Sequence, residues 1–285
     1  MANRRSSAIW SVPVLLAIVG LLAGIVVLIA NIFDRGAPPI VQPNEQCIAT
    51  VNDHNSYITL EQAGNVAIIS ASAIGHGLPP RGATLGIVTA WQESSLRNLD
   101  YGDRDSLGLF QQRPSQGWGT SEQIMDPWYA SAKFYEALVR VPGWESGDIN
   151  DVAQTVQRSG FPEAYRQHET NGRTWASALT GHSPLAVRCV IRDGAPSNPQ
   201  PIIDLLWKSH NGNINVVQEG LNLVINVPDE TVGWSVAQLA MLVPATGLES
   251  VAFGEWVWTN DGNAIAEWTQ TSPLPPNVVR VNLKG

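Results

Sequence analysis

Cysteine is scarce: 2 residues, Cys47 and Cys189, in a chain of 285. There is no Cys-x-x-Cys pair, which argues against a zinc ribbon, a thioredoxin-type redox centre and a disulfide-dense miniature scaffold. The five histidines, His54, His76, His168, His182 and His210, are scattered without metal-ligand spacing, so neither a metal site nor a cofactor is expected. Basic charge is in deficit, 17 Lys and Arg against 25 Asp and Glu, a net charge of −8. That balance argues against nucleic acid as a partner, so a bound polymer would have to be held by shape, hydrogen bonds and stacking. Low-complexity tracts and internal repeats are absent as well. Tryptophan is the exception, with 11 copies against 5 each of Tyr and Phe.

Charge is missing altogether from residues 6–33, and Val14 to Ile32 are almost all aliphatic or small. A run of about 20 apolar residues is long enough to span a bilayer. It exceeds a signal-peptide core, and no clean small-x-small cleavage site follows it. Arg4 and Arg5 precede the run, which places the short N-terminus in the cytoplasm. The expected arrangement is a single-pass protein of the cell membrane. Residues 1–33 would form a cytoplasmic tip and transmembrane signal anchor, 34–46 a proline-rich linker, and the bulk would be extracytoplasmic on the cell-wall side.

From 47 to 193 the pattern is mainly helical. Thr59-Leu-Glu-Gln62 has the form of a capping box opening a helix to about Gly75. Pro79 and Pro80 suit the start of a second helix that runs out near Ser95, leaving Glu93 in its last turn. Further helices fit about 126–140, 149–158 and 162–178. The turn-rich stretch 194–201 predicts a second linker. Beyond it, alternation at 221–227 and 279–283 predicts strands, 232–243 a helix, and Asn260-Asp-Gly-Asn263 a turn between two Trp-bearing strands. Residues 202–285 therefore predict a small α+β domain. Cys47 and Cys189 bracket the helical block; in an oxidising compartment they would form a disulfide tying its ends together, the alternative being two unrelated buried thiols.

The chemistry-bearing stretch is Trp91-Gln-Glu-Ser-Ser-Leu-Arg97, followed by Tyr101-Gly-Asp-Arg104 and Gly108-Leu-Phe-Gln111. This ordered set resembles the lysozyme-like superfamily, specifically soluble lytic transglycosylases and goose-type lysozymes, over roughly residues 60–180. The resemblance implies a mainly α lysozyme-like domain, and a peptidoglycan glycan-cleaving enzyme acting on the MurNAc–GlcNAc bond in cell-wall remodelling. Its catalytic acid would be Glu93. Such an acid must stay protonated to deliver its proton to the leaving oxygen, which requires desolvation.

The resemblance also assigns Ser94 to supporting the site and Gln111 to lining the cleft. Where the family carries a sugar-holding Tyr, this chain has Gln157; either its amide takes over that task or Tyr165 folds back to perform it. Asp103 matches one water-guiding acid of goose-type enzymes, Arg113 occupies the place of another, and Asp105 is a further candidate. Both aspartates could equally be solvated or turn-capping carboxylates. Two other functional classes stand beside the enzyme: a non-catalytic peptidoglycan-binding module, and a wall-opening component of a secretion or conjugation machine, with the C-terminal domain docking a protein partner. Most of the tryptophans read as core residues. The alternative for those of the C-terminal domain is a sugar-stacking or partner-docking face.

Overall fold

The structure is a computed structural model that describes residues 44–159, 161, 163–192, 194 and 196–285. The apolar run expected to cross a membrane lies outside them. Among the described residues no helix is long and apolar enough to cross a membrane, so the expectation of a single-pass membrane protein is not carried forward.

The chain opens with two strands, β1 (Gln46–Val51) and β2 (His54–Thr59). They are joined by Asn52 and Asp53, both at positive φ, as a tight hairpin turn requires. Helix α1 (Leu60–Gly75) follows directly, and the predicted capping box is formed. The Gln62 amide donates to Thr59 Oγ1, and the Thr59 amide donates to Gln62 Oε1 at 2.8 Å. Helix α2 (Pro80–Ser94) begins on its proline. After a long loop come α3 (Ser121–Ile124), α4 (Pro127–Leu138), α5 (Ile149–Gln157) and α6 (Glu169–Leu179). Strand β3 (Val187–Val190) then pairs antiparallel with β1, giving a three-stranded sheet in the order β2-β1-β3.

The remainder comprises helix α7 (Gln200–His210), the hairpin β4 (Asn215–Glu219) and β5 (Asn222–Asn226), helix α8 (Glu230–Ala240), and strands β6 (Leu248–Phe253), β7 (Trp256–Thr259), β8 (Trp268–Gln270) and β9 (Val278–Leu283). Its six strands form one antiparallel sheet in the order β4-β5-β9-β6-β7-β8. The fold is therefore α+β with two antiparallel sheets, which corrects the expectation of a mainly α domain. The expectation for 47–193 is helical and names no strand there, so β1 to β3 are an addition. In β1 and β3 buried positions do not alternate cleanly with exposed ones, whereas in β2 they do.

Residues 43–285 form one compact unit, and the buried side chains on both sides of residue 194 belong to one core. Polar bonds tie the two stretches as well. Gln238 of α8 donates to Ala178 O and accepts from the Val187 amide, while Ser235 Oγ donates to Leu179 O. Trp234, Trp258 and Trp268 are buried in this core, whereas Trp207 is exposed. Cys47 and Cys189 face each other across the β1–β3 ladder and are disulfide-bonded, with a sequence separation of 142. A loop of that size makes the bond worth roughly 4–5 kcal/mol on the chain-entropy argument.

Candidate active site

Glu93 lies in the last turn of α2, and the chain reverses immediately after it. Ser95 and Leu96 both take left-handed backbone angles, φ 53° and 60°. Side chains of α1 hold this reversal: Gln62 donates to Ser95 O at 2.9 Å and Asn65 to Leu96 O at 2.8 Å. The expensive conformation after Glu93 is thus held by bonds to the carbonyls of both left-handed residues.

Ser94 is buried, and its hydroxyl reaches Leu109 O at 2.8 Å and Ala90 O at 3.0 Å. Leu109 belongs to a tight loop closed by paired amides between Leu107 and Gln112. The next carbonyl of that loop, Phe110 O, accepts from Gln157 Nε2 at 2.7 Å. Gln157 is the last residue of α5, and Arg158 after it is again left-handed. Two helix C-termini therefore converge on one loop, and consecutive loop carbonyls are clamped by Ser94 and Gln157. Leu109 and Phe110 themselves are fully buried.

Tyr165 is fully buried and donates its hydroxyl to Glu93 Oε1 at 2.5 Å. The half-buried Glu93 carboxyl is pushed above the ordinary carboxylate range by burial, against the opposing hydrogen bonds from Tyr165 and Gln157. The carbonyl end of α2 acts in the same direction as burial, because a helix C-terminus disfavours negative charge. The Tyr165 phenol is pushed well above its usual value by burial first, then by the neighbouring Glu93. It stays a neutral donor at any working pH.

Gln111, at φ 47°, turns its amide back over its own loop, donating to Tyr101 O at 3.2 Å and Gly108 O at 3.3 Å. Its Oε1 sits against Gly102, where a Cβ would come within 1.9 Å of it. The same Cβ would lie 2.7 Å from the backbone Ser106 O, which cannot swing aside, so the position requires glycine.

The two aspartates stand elsewhere. Asp105 Oδ1 accepts from Arg113 Nε at 2.7 Å and its Oδ2 accepts from the Ser115 amide at 2.8 Å. Bonds from Ser115 and then Arg113 hold its carboxyl well below the usual range. Asp103 is at the surface, 91% exposed, beside Arg104. No carboxylate is among the groups that perturb Glu93.

Sequence reasoning missed the surroundings of Trp91 and Gln92. His168 stacks on the Trp91 ring at 5.9 Å, and both His168 Nε2 and Gln167 Nε2 lie 3.1 Å from Gln92 Oε1. Burial lowers the His168 pKa. Spacing gave no signal for this cluster, because its members are some 75 residues apart in the chain. Among the described residues no group of three His, Cys, Asp or Glu side chains could hold a metal ion.

Two cavities are relevant, one against α2 and one reaching the site only through Gln157. The first, of about 840 Å³, lies at the N-terminal end of α2, lined by Arg81, Thr84, Arg166 and Arg173 and remote from Glu93. The other, about 640 Å³, runs from Gln157 past Arg158 and Arg140 to Trp118, so it adjoins the Glu93 site. Chemically, the arrangement offers one desolvated carboxylic acid held by a neutral phenol and an amide, beside an open groove. In comparisons with known proteins, no family model and no curated protein matches the chain.

Proposed function

We propose that the chain is a glycan-cleaving enzyme acting on peptidoglycan, with Glu93 as general acid in a lytic transglycosylase or lysozyme-type reaction. The observation that carries the reading is the Glu93 carboxyl itself. It is half-buried at a helix C-terminus, raised in pKa, and oriented through Oε1 by the Tyr165 hydroxyl. A glycosidic bond breaks when its leaving oxygen is protonated, and a carboxyl kept neutral by its surroundings can deliver that proton.

The product follows from what stands beside the acid. A hydrolase working through water uses a second carboxyl group across the scissile bond. Asp105 is committed to Arg113 and Ser115, and Asp103 projects into solvent. That favours the route with one acid. Glu93 protonates the leaving oxygen, and the deprotonated Glu93 then takes the proton from the 6-hydroxyl of the same sugar. That oxygen closes onto the anomeric carbon, giving a 1,6-anhydro end. Gln111 and Gln157 shape the loop beside the acid, and Ser94 positions it from behind.

Digestion of purified peptidoglycan with mass analysis of the products tests the reading. The wild-type chain should release muropeptides that resist borohydride reduction. Glu93→Gln should lower the rate by at least about 10²-fold, the low end for loss of general acid catalysis. Near-wild-type cleavage by that variant would remove Glu93 from the mechanism. Reducible products carrying oxygen from labelled water would establish hydrolysis instead.

A further inference from the structure

The groove next to Gln157 has an electrostatic character opposite to that of the chain. The protein carries a net charge of −8, yet among its described lining residues are two arginines, Arg140 and Arg158, and no Asp or Glu. Several other arginines of the fold are occupied. Arg113, Arg166, Arg173 and Arg188 are paired with carboxylates, and Arg81 donates to the carbonyls of Trp144 and Gly147. Arg140 and Arg158 are exposed, and neither side chain has a hydrogen-bond or ion-pair partner among the described residues.

The backbone sets both ends of the groove. Arg158 leaves the end of α5 at φ 54°, one residue after the amide that clamps the site loop. At the far end Trp118 is flanked by Gly117 at φ 83° and Gly119 at φ 140°. A Cβ on Gly119 would lie 2.6 Å from the Tyr129 hydroxyl, so the loop runs hard against α4 and presents the half-buried Trp118 from a fixed base. The volume of about 640 Å³ is that of a small-molecule site.

We propose that this groove is a carboxylate-recognising subsite, in which Arg140 and Arg158 bind an acidic substituent of a glycan strand while Trp118 packs against a sugar face. Guanidinium groups match carboxylates in geometry and charge, and an indole ring matches the apolar face of a pyranose. The subsite rests on the glycan-cleavage reading of Glu93 and makes it narrower. A neutral N-acetylglucosamine polymer would fit the acid but leave both arginines without a partner.

Calorimetric titration of the full chain carrying Glu93→Gln, so that ligand is not consumed, tests the assignment. The probes are a neutral N-acetylglucosamine oligomer, a peptide-free oligosaccharide bearing free lactyl carboxylates, a peptide-bearing glycan fragment, and that fragment with its carboxylates amidated. At least one acidic probe should bind about fivefold or more tighter than the neutral and amidated ones, the sum of two exposed charge-assisted contacts. The peptide-free and peptide-bearing arms identify which carboxylate is read.

Adding R140Q and R158Q should abolish the preference while leaving neutral-oligomer affinity and melting temperature unchanged, and Lys at both positions should restore part of it. Equal binding of acidic and neutral probes, or a preference that survives R140Q/R158Q, overturns the subsite. Digestion by the wild-type chain is scored separately. Cleavage without acidic preference sinks the subsite alone, whereas acidic preference without cleavage sinks the enzymatic reading and leaves the subsite standing.

Discussion

Tyr165→Phe probes the site at its most informative bond. The phenol donates to Glu93 Oε1 at 2.5 Å from a fully buried ring. A hydrogen bond to a charged group contributes about 1.5–3 kcal/mol, and here the recipient of that stabilisation is the carboxylate form. Burial and the bond from Tyr165 oppose each other at Glu93, burial raising its pKa and the bond lowering it. Removing the hydroxyl leaves burial less opposed, so the Glu93 pKa must rise further. Proton delivery requires the protonated form, so the alkaline limb of the pH–rate profile should move to higher pH. Loss of orientation should lower the maximal rate at the same time, by up to about 10²-fold. Initial rates on purified peptidoglycan across acid to mildly alkaline pH read both effects, and carbon NMR of the Glu93 carboxyl reads the titration without turnover. An unchanged or lowered Glu93 pKa in Tyr165→Phe would refute the account of how this acid is tuned.

Three further outcomes concern stability. Glu93 has a raised pKa in the fold, so the folded chain keeps a proton that the unfolded chain releases near the ordinary value of 4.5. Stability is then lost as pH rises from there through the folded-state value. Glu93→Gln removes that loss, so its melting temperature relative to wild type should climb from acid to neutral pH, and a flat difference would contradict the shift. Replacing Cys47 and Cys189 together by Ala should lower unfolding free energy by about 2–5 kcal/mol, measured by denaturant titration, and an unchanged midpoint would show that the β1–β3 ladder holds without the bond. Ser94→Ala leaves the buried Leu109 carbonyl without its donor and should cost about 1–3 kcal/mol in the same assay; a neutral result would mean that the Ser94 bond does not hold the loop.

The helical elements around the site were legible because their signals are local. Thr59-x-x-Gln62 caps α1 as its spacing predicts, Pro80 opens α2, and α2 ends at Ser94 with Glu93 in its last turn. The helix expected over 162–178 begins only at Glu169, after a turn and a short 3-10 segment, and this is what brings Tyr165 beneath Glu93. The three-stranded sheet was missed because β3 pairs with β1 across some 140 residues, and Asn52-Asp53 lacks the glycine that marks a two-residue hairpin in sequence. Chain distance hid the Trp91–His168 stack and the Gln92 contacts for the same reason. Asp105 illustrates the opposite limit. Its residue type fits water activation, but its two oxygens are used by Arg113 and Ser115, and only coordinates reveal that commitment.

The paired clamp on the site loop determines which positions can vary. Ser94 and Gln157 grip the carbonyls of Leu109 and Phe110, atoms that every amino acid possesses. The positions gripped are therefore constrained only by burial, and a randomised library should accept other apolar side chains at 109 and 110. The gripping positions have no such latitude, since each needs a donor of fixed reach. Gly102 is tighter still, because a Cβ there would lie 2.7 Å from the backbone carbonyl of Ser106 as well as against the Gln111 amide. Selection for a working loop should thus fix two helix ends and the glycines at 102 and 108, the latter at φ 77° with Ile124 O 2.7 Å from any added Cβ, while positions 109 and 110 drift among hydrophobic residues.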